Sequence, residues 1–196
     1  MITRLLLLAG MALLGAACAR PIDPPLPSAA LAAHDIRSVA VGPVAYATFQ
    51  PNEHCSTFID EDLRSALVRE LRHRGYDAFA AGNSVPRSFS AGSPPPLPGD
   101  PPPVGQIPSP GAQGLLSVWI EEYWENSLCG WEGPKYLTMG GVAVLYAGSP
   151  PVEVWRGRAR AVEQGGYPAR ELMWLVTSRL TDGLLQTLPA AQGVQR

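Results

Sequence analysis

Charge is scarce in this sequence. Only 16% of the residues are Asp, Glu, Lys or Arg, and the formal net charge is −2. That excludes the basic footprint of a nucleic-acid binder. Histidine and cysteine are equally scarce, three of each. No spaced Cys/His pairs suited to zinc are present. Neither a Gly-x-Ser-x-Gly nucleophile turn nor a phosphate-cradling glycine loop appears. After Ala17 no apolar run approaches the roughly 20 residues that a membrane-spanning helix needs.

What is present starts at the amino terminus. Arg4 supplies positive charge, and Leu5 to Leu14 is apolar except for Gly10. This stretch is short for a span and fits a cleaved export signal over residues 1–17. Leu14-Gly15-Ala16-Ala17-Cys18 then sets small residues before a cysteine. The segment resembles the lipobox of bacterial lipoproteins, although Gly15 stands where that family prefers a larger aliphatic residue. The resemblance implies diacylglycerol on the Cys18 thiol and a further acyl chain on its new amino group, with no other cofactor. Two acyl chains anchor stably, each buried CH₂ contributing about 0.8 kcal/mol. By the same resemblance, Ala19 in place of Asp points to the outer membrane, facing the periplasm, with inner-membrane anchoring as the alternative.

With Cys18 lipidated, Cys55 and Cys129 remain, an even number in an oxidising compartment. A Cys55–Cys129 disulfide is expected, worth about 4 kcal/mol in the chain-entropy model. Two buried thiols are the alternative. A metal held by Cys55 with His54 is weaker, because no spaced ligand pair accompanies them.

Residues 18–35 read as the lipidated cysteine and a tether kept extended by Pro21, Pro24, Pro25 and Pro27. His34 falls in that tether. Residues 36–189 read as a single α/β domain, and residues 190–196 as a disordered tail. A first strand spans Ile36 to Ala45, stopped by Gly42-Pro43. A helix follows over Thr57 to Arg74, with Thr57 as cap, Asp60, Glu61 and Asp62 at its positive end, and Leu63, Leu67 and Leu71 in one stripe. Gly75 ends it, His73 lies on its charged side, and Tyr76 to Ala80 is a short strand. Residues 82–110, with Pro94 to Pro96 and Pro101 to Pro103, read as a solvated polyproline-like loop. Three alternating strands over Gly114 to Trp124, Tyr136 to Gly148 and Val152 to Val162 form an antiparallel meander. A closing helix runs from Pro168 to Leu188 on Leu172, Val176, Leu180 and Leu184. The expected fold is α+β: a small mixed sheet, its first strands parallel and its last three antiparallel, with two main helices on one face.

This order, with Val39-Ala40-Val41-Gly42-Pro43, the helix Leu67 to Arg74 entering Gly75-Tyr76, and Val154-Trp155-Arg156-Gly157-Arg158-Ala159, resembles small periplasmic lipoproteins with a TolB amino-terminal-like domain. That group includes the meningococcal surface lipoprotein antigen and, more distantly, the curli-secretion lipoprotein. The last segment matches a Leu-Trp-x-Gly-x-Ala strand common in them. The resemblance implies a noncatalytic, often oligomeric part of an envelope transport, secretion or assembly system. Residues 82–110 depart from it, since relatives carry a helix there.

Glu121, Glu122 and Glu125 interleave with Trp119, Tyr123 and Trp124, and Trp131 and Tyr136 follow. Acids among aromatics suit glycan chemistry, and two carboxylates can hydrolyse a glycosidic bond. Strand alternation places Glu121 and Glu122 on opposite faces, however, so they do not converge. The aromatics Trp119, Tyr123, Trp124, Trp131 and Tyr136 also suit a partner surface, or a core role in which the rings cover the sheet and shield the disulfide. The reading is a noncatalytic, membrane-anchored lipoprotein that binds an envelope protein or another copy of itself. The alternative is a glycan hydrolase, or a glycan- or lipid-binding protein, using residues 119–136.

Overall fold

The computed structural model describes residues 31–47, 59–81, 95–98, 100, 107, 111–126, 135–166 and 168–191. In chain order its elements are β1 (Ser38–Tyr46), α1 (Ile59–His73), β2 (Asp77–Ala80), β3 (Gly114–Asn126), β4 (Lys135–Ala147), β5 (Val152–Gly165) and α2 (Ala169–Leu185). The strands form one sheet in the order β2-β1-β3-β4-β5. β1 is parallel to both of its neighbours, and β3, β4 and β5 run antiparallel. This is the expected α+β arrangement.

Both helices form for reasons visible in their residues. α1 begins with Asp60, Glu61 and Asp62 and ends with Arg72 and His73, which complements its dipole. Ile59, Leu63, Ala66, Leu67 and Leu71 make its buried stripe. Gly75, at φ 90°, turns the chain out of the helix in a conformation that other residues rarely adopt. In α2 the apolar face is Leu172, Val176, Leu180 and Leu184. These stripes close over Val39, Val41, Leu116, Val118, Met139 and Leu145 of the sheet, filling the layer between. Among the described residues, no helix is long and apolar enough to cross a membrane.

The Val154-to-Ala159 segment has a packing explanation. A Cβ at Gly157 would lie 2.1 Å from the Leu184 carbonyl oxygen, so α2 touches β5 where a side chain is missing. The Trp155 ring flanks the same gap, and its indole N–H donates to Thr187 Oγ1 at 3.3 Å.

Three boundaries differ from the sequence reading. The domain starts before residue 36: Leu31 is buried in the main core, and the His34 amide donates to the Leu31 carbonyl. His34 therefore sits against the domain, beside Gly148, and not on a free tether. At the other terminus, order continues past residue 189. Arg74 Nη1 donates to the Leu188 carbonyl at 2.7 Å, Tyr76 Oη donates to the Pro189 carbonyl at 2.9 Å, and the Ala191 amide donates to the Arg74 carbonyl at 3.0 Å. Finally, Ile107 of the Pro-rich stretch is half-buried against Ala40, Ala81 and Leu115, so this position is packed rather than solvated. The Thr57 cap lies outside the described residues.

Candidate functional site

Among the described residues, no helix covers the second face of the sheet. In β5, Ala159 and Ala161 face the helices, so Arg156, Arg158 and Arg160 line up on the opposite face. Each meets a glutamate. Arg156 donates two bonds to Glu153, at 2.8 and 2.7 Å, and both side chains are only 8% exposed. Arg158 Nη2 donates to Glu121 Oε1 at 2.7 Å. Arg160 donates from Nε and Nη2 to both oxygens of Glu122, each at 2.8 Å.

The last two pairs link β3 to β5 over the strand between them. Glu122, Gly140 and Arg160 are in register across β3, β4 and β5. A Cβ at Gly140 would lie 3.2 Å from Glu122 Oε2, so the glycine leaves room for the crossing.

This arrangement corrects the expectation that Glu121 and Glu122 point to opposite faces. The β3–β4 register shifts between Ile120 and Glu122. One extra residue enters β3 there, alternation breaks, and both carboxylates reach arginines on one face. The consequence runs against acid catalysis. Arg160's hydrogen bonds outweigh partial desolvation and hold the Glu122 carboxyl below the ordinary range. A general acid at a glycosidic bond needs the opposite shift.

The aromatics separate. Trp119 is 1% exposed and packs with Ala45, Val142, Val144 and Tyr146, which makes it a core side chain and not a surface one. Tyr123 packs against the helix-side core, and its hydroxyl donates to Glu125. Trp124, at 52% exposure, stands edge-to-face on half-buried Tyr136, with ring centroids 4.9 Å apart and an interplanar angle of 74°. Thus only Trp124 and Tyr136 come together as an accessible pair among the described residues. Cys18, Cys55, Cys129 and Trp131 lie outside the described residues.

Sequence reasoning missed the buried polar groups. Tyr46 donates a hydrogen bond to Asp60, tying β1 to the first turn of α1. Burial, then the Asp60 charge, raises the Tyr46 phenol far above its usual value. Tyr146 is raised chiefly by burial, with Glu153 adding to the effect and Arg156 opposing it. The spacing of Arg156, Arg158 and Arg160 was the available signal for a charged row on one face. Among the described residues, no three His, Cys, Asp or Glu side chains converge as a metal site. At the opposite end of the sheet from Trp124, an open cleft of about 460 Å³ is lined by His34, Ile107, Gln113, Ala147, Gly148 and Ser149.

No family model matches the chain, and no curated protein matches it. Solved structures do. A PelC dodecamer from Paraburkholderia phytofirmans is 19% identical at a TM-score of 0.49, over 88% of this chain and 98% of that one. A hypothetical protein from Chlamydia trachomatis is 16% identical at 0.47, over 76% and 93%. A lipoprotein from Neisseria meningitidis is 16% identical at 0.44, over 74% and 95%. At these identities the likeness is one of fold alone.

Proposed function

We propose that this chain is a lipid-anchored envelope protein that acts by binding another protein and performs no chemistry of its own. Its partner is a component of an envelope transport, secretion or assembly system, or a second copy of the chain. One observation carries the noncatalytic part: the carboxylates of β3 are engaged, Glu121 by Arg158, Glu122 by Arg160 and Glu125 by Tyr123. Exposed Trp124 on Tyr136 supplies the kind of aromatic surface that dominates protein interfaces. The anchor rests on Leu14 to Cys18, the outer-membrane assignment on Ala19, and the Cys55–Cys129 disulfide on the oxidising compartment.

Two measurements test this. Metabolic labelling with an alkyne palmitate should mark the wild type and not Cys18→Ser, and the mass of the mature amino terminus should show loss of residues 1–17. A photo-crosslinking residue at position 124, installed in cells, should capture a defined protein, while the same residue at exposed Leu97 should not. Monomer alone from position 124 under all growth conditions would overturn the binding role.

A second reading is favoured by one arrangement. Trp124 and Tyr136 share a sheet face with the exposed Glu122–Arg160 pair, and ring faces beside planar hydrogen-bonding groups suit a sugar. On that reading, oligosaccharide quenches Trp124 fluorescence without being cleaved.

A further inference from the structure

The aromatic pair and the point where the anchoring segment joins the domain lie at opposite ends of the sheet. Leu31 is in the core, and His34 stands beside Gly148 in the turn after β4. Lys135 and Tyr136 begin β4, and Tyr136 is in register with Asn126 at the end of β3. From Tyr136 to Ala147 is eleven residue steps, about 36 Å at the usual strand rise.

Chain length sets how far the anchor can reach. Thirteen steps separate Cys18 from Leu31. Fully stretched they cover about 43–47 Å, as polyproline-like chain about 40 Å, and as flexible coil about 20 Å. Bringing Trp124 to the bilayer therefore requires the segment to run back along the whole domain and to spend nearly all of its polyproline length doing so. Bringing the Gly148 turn to the bilayer sets no such demand on its direction or length.

We propose that the domain is polar in orientation: the Gly148-to-Val152 end apposes the bilayer, and the Trp124–Tyr136 end is presented away from it. This rests on the lipid anchor at Cys18. It makes the bilayer surface the partner of one end and reserves the aromatic pair for a soluble or membrane-distal protein. Val152, 46% exposed, is the reporter position at the near end.

The test uses the full lipidated chain in vesicles of phosphatidylethanolamine and phosphatidylglycerol with nitroxide-labelled headgroups. A fluorescent amino acid replaces either Val152 or Trp124. Quenching at position 152 should be at least twice that at position 124. Inserting 24 Gly/Ser residues after Pro27 should remove most of that difference. Equal or stronger quenching at position 124, or no quenching at either position in chains that float with the vesicles, overturns the orientation. Flotation reads the anchor separately: wild type that fails to float, or Cys18→Ser that floats equally well, overturns the lipid reading instead.

Discussion

Glu122 and Arg160 meet over a strand that lies between them, through the space left by Gly140. The pair is nearly half exposed, 48% for Arg160 and 45% for Glu122, so its own contribution is small, about 0–1 kcal/mol. The crossing is the sensitive feature. Gly140→Val should displace the pair, and Gly157→Ala should do worse, because its methyl meets the α2 backbone rather than a flexible side chain. Urea unfolding should show a loss of about 1 kcal/mol for Gly140→Val and about 3 kcal/mol for Gly157→Ala. Equal stability for Gly157→Ala and wild type would show that α2 does not sit as described.

The Arg156–Glu153 pair behaves differently because it is buried. Glu153→Ala removes the carboxylate from a desolvated guanidinium and should cost about 3 kcal/mol. Arg156→Met combined with Glu153→Leu should recover most of that loss, since apolar side chains of similar size suit the site. A thermal melt of the three variants checks both expectations. A double variant no more stable than Glu153→Ala argues against charge burial as the cause.

Trp119 and Trp124 separate stability from binding. Trp119→Ala opens a cavity in the core and should cost about 3–5 kcal/mol. Trp124→Ala removes an exposed ring and should leave the unfolding midpoint within the equivalent of about 0.5 kcal/mol, while abolishing crosslinks to the partner formed from a photo-crosslinking residue at neighbouring exposed position 126. Denaturant melts and crosslinking of the same two proteins provide the comparison.

Asp182 on α2 carries a raised carboxyl pKa, first from desolvation and then from the Glu70 charge. The sign follows directly. At neutral pH the ionised form is disfavoured in the fold, so Asp182→Asn should stabilise by about 0.5 kcal/mol or less after solvent screening. The gain should vanish below the unfolded carboxyl range, where the group is protonated in both states. Glu122 has the opposite sign: its small contribution is present above the unfolded value and fades as pH falls through the lowered one. Parallel melts at pH 7 and pH 2.5 distinguish the two.

The strands of the meander and both helices were legible because the apolar periods are long and uninterrupted. Leu63, Leu67 and Leu71 can only form a stripe on a helix, and Val142, Val144 and Tyr146 only a row on a strand. The bulge at Ile120–Glu122 was not legible, since one extra residue changes no composition, and alternation applied without it sent Glu121 to the wrong face. Leu31 reads as tether in the sequence because the prolines before it dominate the local signal. Ala191 reads as tail because its restraint, the bond from its amide to the Arg74 carbonyl, comes from more than 100 residues upstream, and no local pattern announces it. Trp119 and Trp124 carry the same side chain five residues apart, and only the paired strands and their cover distinguish core from surface.

The bonds from Arg74 and Tyr76 to Leu188 and Pro189 also govern when the domain can form. α2 supplies one wall of the core and emerges after all five strands from any pore that threads the chain from its amino terminus. Until it arrives, Leu67 and Val176 have no common interior, and β4 and β5 present a bare apolar face. A chain stalled at residue 165 should therefore remain sensitive to protease, and emergence of α2 should close the whole body in one step.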